Sequence, residues 1–134
     1  MSAFSLWELQ KAIYQTLSGD GTLMALVSGV FDHVPENTAY PYVALGEGIT
    51  EDRSTVTTGG SETVAQLRVA SREGGRKQAA AIMERTHVLL HGSNLAVGGQ
   101  SLVFIRFQSA EVRLLNDGIT YMGLMRFRVL LEAT

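Results

Sequence analysis

At the start of the chain, hydrophobic positions recur at the spacing of a helix. Leu6, Leu9, Ile13 and Leu17 form one stripe, which Trp7, Ala12 and Tyr14 widen. Ser5-Leu6-Trp7-Glu8 has the form of a capping box, in which each side chain satisfies a backbone N–H that the first turn leaves without a partner. The stretch "SGDG" ends this helix. Asp20 is placed to cap a second, short helix over Thr22 to Val27, and Gly29 is expected behind it in a left-handed conformation.

After Gly29 the period changes to two. A short extended piece is followed by a loop pinned by Pro35 and Pro41, then by a strand from about Tyr42 to Thr50. Gly46 and Gly48 fall on one face of that strand, and side chains missing from one face imply close packing, expected here from a helix. Residues 51–61, "EDRSTVTTGGS", are polar and glycine-ended and read as a long hairpin arm. The next strand, Glu62 to Ser71, sets Thr63, Ala65, Leu67 and Val69 on one face and Gln66 and Arg68 on the other. A third helix runs from about Gly75 to His91, buries Ala79, Ile82, Met83, Thr86, Leu89 and Leu90, and stops at Gly92.

The last third is strand. "LAVGGQSLVF" turns at Gly98-Gly99, and the rest forms a long hairpin around Asn116-Asp117-Gly118. A loop over Asn116 to Gly118, with Gly118 left-handed, pairs Val103 with Leu131, Ile105 with Val129 and Phe107 with Phe127. A shorter, two-residue loop sets Phe107 against Arg128 and spoils this apolar match. The favoured register places Arg106 opposite Arg128, with Arg126 next along the same face, so that face calls for an acidic partner or open water. The order α-α-β-β-β-α-β-β-β describes an α+β domain, a mostly antiparallel sheet packed on one face by helices. With 134 residues and no repeat, linker or low-complexity segment, residues 1–134 read as a single domain.

Composition narrows the function. The absence of cysteine excludes disulfides and thiolate metal sites and makes an intracellular setting the default. No signal-peptide pattern or membrane-length apolar run is present, so no membrane association is expected. A net charge of −2 argues against nucleic-acid binding through the overall field. Charge is uneven: residues 1–67 carry two basic and eight acidic groups, and residues 68–134 carry nine basic and five acidic. This suits either interleaved charge within one fold or one side of a subunit docking on the other side of its copy.

The candidate chemistry is sparse. "VASREGGRKQAAAI" has the strand-glycine-helix outline of a phosphate loop, but Lys77 is followed by Gln78, not Ser or Thr, and the spaced glycines of a dinucleotide fingerprint are missing. Gly74-Gly75 therefore reads as a turn into the helix, with Arg76 and Lys77 solvated in its first turn. His87 and His91 have the spacing of a zinc pair, yet Val88, Leu89 and Leu90 lie between them where a hydrolytic site needs a glutamate. No Gly-x-Ser-x-Gly elbow occurs, and no residues converge into a catalytic constellation, so neither an enzyme nor any cofactor or metal is expected. The remaining features concern the surface: the acidic group Glu47, Glu51 and Asp52 beside Arg53, and the basic group Arg106, Arg126 and Arg128. These seven residues are the candidate interface with a neighbouring subunit or another protein.

Three stretches, "YPYVALGEGITEDRST", "VASREGGRKQAAAI" and "MRFRVLLEA", taken in that order, resemble the tail-completion or tail-terminator family of long-tailed phages and gene transfer agents. The matching markers are Pro41-Tyr42-Val43 leading into Gly46, Ser71-Arg72 with Gly74 and Lys77, and Arg126-Phe127-Arg128, and the likeness spans nearly the whole chain. The resemblance implies a virion structural protein that forms a ring, a hexamer, on the head-proximal end of the tail tube, stops tube growth and joins tail to head. Its partners would be further copies of itself, the tail tube protein and the head-tail connector. It would be cytoplasmic during assembly and then part of a virion tail or gene-transfer-agent particle, the chain belonging to a phage, a prophage or a gene transfer agent. The alternatives are a neck or head-completion adaptor and a small nucleic-acid-binding module using Arg106, Arg126 and Arg128. The module lacks a stacking platform, because Phe107 and Phe127 point to the other face.

Overall fold

The computed structural model describes residues 6–133. Ser5, and with it half of the expected capping box, lies outside the described residues. The elements are α1 (Leu6–Ser18), α2 (Gly21–Met24), β1 (Val30–Phe31), β2 (Tyr42–Asp52), β3 (Gly60–Ser71), α3 (Lys77–Leu90), β4 (Gln100–Leu114) and β5 (Tyr121–Ala133). The strands form one five-stranded sheet in the order β1-β2-β3-β5-β4, parallel only between β1 and β2. The α+β class and the run of elements are those read from the sequence. One segment behaves differently: Leu95 and Val97 enter the core as irregular chain, so Gly99 (φ +73°) turns into β4 without a preceding strand.

The core lies between the helices and one face of the sheet. Leu9, Ile13 and Leu17 of α1 and Ile82, Met83 and Leu90 of α3 meet Leu67, Val69, Met125, Phe127, Val129 and Leu131. Burying a Leu, Ile or Phe side chain stabilises by about 1.5–3 kcal/mol each, which explains why two amphipathic helices suffice to hold the sheet. The stripe of α1 is narrower than its hydrophobic residues suggest: Leu6, Trp7 and Tyr14 are exposed. In α3, Leu89 is half-buried against the core while Ala79, Ile82, Met83, Thr86 and Leu90 are buried.

Asp20 caps α2 as expected, accepting from the Leu23 N–H at 2.8 Å. Its two oxygens also receive Arg85 Nε at 2.9 Å and Nη2 at 2.7 Å, which clamps the start of α2 to α3. These bonds hold the Asp20 carboxyl below the usual carboxylate range. Gly29 is not left-handed. The chain leaves α2 at Ala25 in a right-handed turn, and Gly29 is needed for space, since an added Cβ would come within 2.8 Å of the Phe31 ring.

Gly46 and Gly48 do not share a face. The β2–β3 register slips between Leu45 and Gly48, so Gly46 and Glu47 together oppose Gln66 as a bulge. The close neighbour of Gly46 is the β3 backbone, Gln66 O lying 3.0 Å from where a Cβ would stand. The glycine that admits a helix is Gly123 on β5, where Met83 Sδ of α3 would be 2.5 Å from an added Cβ.

The β4–β5 hairpin has the expected central register, with Ile105 opposite Val129, Arg106 opposite Arg128 and Phe107 opposite Phe127. The two phenylalanine rings meet edge to face at 5.8 Å. Outside that centre β4 slips twice. Val103 is extruded, so that Leu102 faces Leu131, and a second irregularity at Gln108 sets Ser109 against Arg126. The turn is correspondingly one residue longer than expected, closed by Leu115 N–H to Thr120 O at 2.8 Å, with Gly118 at φ +75°. Asp117 secures it by accepting from Ile119 N at 2.9 Å and Thr120 N at 2.8 Å, and also from the Thr120 hydroxyl. Those bonds lower its pKa to about 2.

Candidate functional site

The helices cover one face of the sheet. On the other face, strand alternation places Glu62, Val64, Gln66 and Arg68 of β3 beside Leu124, Arg126, Arg128 and Leu130 of β5, and beside Phe104 and Arg106 of β4. Because β3 is hydrogen-bonded to β5, the acidic end of the β2–β3 hairpin lies next to the arginines within one chain. Glu62 joins the two groups. Its side chain is only 13% exposed, and it receives Arg128 Nη2 at 2.6 Å on one oxygen and Arg53 Nε at 3.2 Å on the other. The hydrogen bond from Arg128, with the charges of both arginines, lowers the Glu62 pKa despite partial burial.

Of the seven candidate residues, four converge here. Arg128 is paired with Glu62, Arg53 bridges Glu62 and Glu51 (3.4 Å), and Asp52 accepts from Ser54 Oγ at 2.6 Å. Arg106 instead sits over the Phe104 ring, 4.2 Å from its centre, and the Arg128 guanidinium approaches the same ring at 5.9 Å. This arrangement is how two arginines in opposite positions are tolerated: one is neutralised by Glu62, the other rests on an aromatic ring. Arg126 is half-buried between Gln66 and Ser109, and Glu47 stands exposed at the β2 bulge. Arg106, Arg126 and Glu47 form no ion pair among the described residues.

Sequence reasoning missed Glu62. The period-two pattern put it on the arginine-bearing side of β3, but nothing local indicated that β3 runs beside β5. The uneven halves of the chain are explained in the same way, since Asp20–Arg85 and Glu62–Arg128 both join an acid of the first half to a base of the second. Part of that asymmetry is thus interleaved charge inside one fold.

The arm is shorter than expected, residues 53–59, and folded on itself. Arg53 N–H bonds Gly60 O at 2.8 Å, Thr55 N–H bonds Thr58 O at 2.7 Å, and Ala133 N–H reaches Gly59 O at 2.9 Å. The Gly74-Gly75 loop is a turn built on two positive φ angles, +82° and +104°. Beyond it, Ser71 Oγ donates to Gln78 Oε1 at 2.6 Å and Gln78 Nε2 donates to Glu73 at 3.0 Å, while Arg76 lies 5.5 Å from the Tyr121 ring. His87 and His91 stack at 4.9 Å, and His91 Nδ1 accepts from the Phe107 N–H at 2.9 Å. His91 thus serves the sheet edge, where Gly92 N–H also bonds Ile105 O at 2.8 Å.

The described clefts are apolar or shallow. The grooves flanking α1 are lined by side chains such as Leu6, Trp7, Tyr14, Phe31 and Leu45; Glu47 lines one and Lys11 and Asp32 the other, without a bond to one another such as an acid-base pair would make. This geometry suits contact with other proteins. Comparison with known proteins agrees: residues 11–132 match the family profile described as "Tail completion protein gp17". The chain belongs to that family. A chain from the "Virion of native gene transfer agent (GTA) particle" is 31% identical with a TM-score of 0.88, the match covering 93% of this chain and 95% of that one. Bacteriophage SPP1 gp17 shares the fold at 23% identity and a TM-score of 0.66, covering 96% of this chain and 94% of that one. No curated protein gives a significant match. The family is a structural one, and the α+β fold and the tail-completion resemblance read from the sequence are both those of these relatives.

Proposed function

We propose that this chain is a tail terminator: six copies form a ring on the head-proximal end of the tail tube, stop its growth and present a surface to the head-tail connector. The observation that carries this reading is the near-complete overlap with a chain of a gene-transfer-agent virion, to which family membership adds the tail-completion role. The chemistry of the surface supports it. The chain offers no catalytic constellation and no cofactor cradle among the described residues, and it leaves sheet edges and charged strand faces available to neighbours. On this reading the chain is assembled in the cytoplasm and ends in the tail of a phage, prophage-encoded or gene-transfer-agent particle.

The test is genetic and structural together. Particles made without this chain should show tails of uncontrolled length and unjoined heads, and restoring the chain should correct both. In lysates lacking heads, the tagged chain should be recovered with tails. Recovery with heads in lysates lacking tails, together with normal tail length in its absence, would identify a head-completion adaptor and overturn the proposal.

A further inference from the structure

The two edges of the sheet are unequally protected. β1 covers β2 only at Val43 and Ala44, which leaves 46–52 without a strand on the side away from β3 among the described residues. At the opposite edge, His91 and Gly92 cover β4 only at Ile105 and Phe107, leaving 108–114 similarly bare. Each free stretch is seven residues long. Exposed strands of that length pair with other chains unless something blunts them; neither carries a proline or a lysine, and the irregularities at Gly46-Glu47 and Gln108 stand at one end of each stretch.

We infer that the free edge of β4 in one copy pairs with the free edge of β2 in the next, so that the sheet continues from copy to copy; this rests on the ring proposed above. Three observations select that partner. The first is charge: the β2 stretch carries Glu47, Glu51 and Asp52, whereas the β4 stretch carries Arg113, bonded to Glu111 at 3.0 Å, with Arg106 before it on β4 and Arg126 next to Ser109 on β5. Pairing β2 with β2 would bring carboxylates together, so that two-fold arrangement is opposed.

The second is apolar fit. Ala110, Val112 and Leu114 point to the helix side of the sheet, opposite Met125, Gly123 and Tyr121, and Leu114 is 44% exposed. Beside β2 they would run under the α1 overhang, into a groove lined by Leu6, Leu45, Gly48 and Ala65. The third is direction. β2 and β4 run antiparallel within the chain, so copies related by simple rotation present them to each other antiparallel.

Straight continuation of the sheet would set Gly48 to Thr50 against the covered stretch at Ile105 to Phe107, so the neighbour must be displaced along the strands. Aligning the free stretches takes about five residues, about 17 Å, across four strands that span about 19 Å. The resulting strand tilt of about 40° lies within the range of closed barrels.

The chain has no cysteine, which makes disulfide trapping clean. Ile49→Cys would be mixed in turn with Ser109→Cys, Glu111→Cys and Arg113→Cys, all on the sheet face away from the helices, then oxidised and run on a denaturing gel; unoxidised particle mass is measured in parallel. The expected result is a covalent dimer in at least one mixture and in no single variant alone, with a particle of closed ring mass. Ala110→Pro, whose N–H points to the free edge because the extra residue at Gln108 shifts the alternation that turns Phe107 outward, should lower particle formation at least tenfold with an unchanged monomer melt. A ring of normal mass without any β2–β4 cross-link sinks the edge pairing and leaves the ring standing. Self-linked β4 variants overturn the head-to-tail arrangement. A chain that stays monomeric at its highest soluble concentration refutes both.

Discussion

Gly123→Ala tests how α3 is seated on the sheet. Gly123 is buried on β5, and an alanine Cβ there would stand 2.5 Å from Met83 Sδ and 3.3 Å from Met83 Cε. Ordinary contact begins near 3.4 Å, so the sulfur has to retreat by about 1 Å inside a close-packed layer. Overpacking of this kind costs about 1–3 kcal/mol. The added methyl also stiffens an unfolded glycine, which returns about 0.5–1 kcal/mol. The net expectation is a loss of about 1–2 kcal/mol, read as a lower urea midpoint at unchanged slope. Met83→Ala alone should cost about 2–5 kcal/mol through the cavity it leaves. In the double variant the new methyl occupies space the sulfur has vacated, so the two losses should fall short of additivity by about 1 kcal/mol or more. Additive losses would falsify the contact, and a stabilised Gly123→Ala would show that Met83 moves without cost.

At the turn before α3, nothing lies within 4 Å of a Cβ added to Gly75, so Gly75→Val is opposed only by its φ of +104° and should cost about 1–3 kcal/mol in a urea melt. Lys77→Ala should leave that melt unchanged, and saturable nucleotide binding lost in this variant would contradict the architectural reading. Glu62 has a folded pKa below its unfolded value, so its contribution is fully present above about pH 4.3 and is lost as pH falls through the folded value. Glu62→Gln should flatten the acid limb of the stability-pH curve and make residues 53–59 easier to cleave; an acid limb unchanged from the parent would refute the clamp. Asp117, at about 2, follows the same sign, its contribution fading between about pH 4 and pH 2. Asp117→Ala should speed amide exchange at Ile119 and Thr120 at neutral pH, and unaltered exchange would count against the cap. For the interface, Arg106→Glu is a cleaner probe than Arg128→Glu, because reversing Arg128 sets two carboxylates together at Glu62 and disturbs the monomer. Weaker assembly with an unchanged monomer melt is expected, and equal assembly at low and high salt would make this face merely solvated.

Helices and the hairpin centre were legible because their signals are local. The spacing of Leu9, Ile13 and Leu17 marks α1, and the match of Phe107 with Phe127 sets the register of β4 and β5. Trp7 and Tyr14 misled because a hydrophobic side chain at the margin of a stripe is compatible with either burial or exposure. The slips at Val103 and Gln108 had no signal, since neither contains the glycine that often marks a bulge. Glu62 was out of reach for a different reason. Which strand inserts beside which is decided by long-range packing, and the β3–β5 adjacency that brings Glu62 to Arg128 cannot be read from either strand alone.

That adjacency also orders events in time. β5 is the last of the described elements to be synthesised, yet it lies between β3 and β4 and pairs with both over almost its whole length. Until it emerges, β3 has only β2 to bond, β4 has no strand at all, and the apolar faces of α1 and α3 have half a sheet to cover. The two most extensive strand pairings, β3–β5 and β4–β5, therefore arrive together at the end of translation, and the first joins segments far apart in the chain, a topology that slows folding and leaves nascent chains prone to mispairing. For a subunit that offers bare strand edges to its neighbours, this delay is protective: no chain can present both edges of a finished sheet before it is itself a finished monomer.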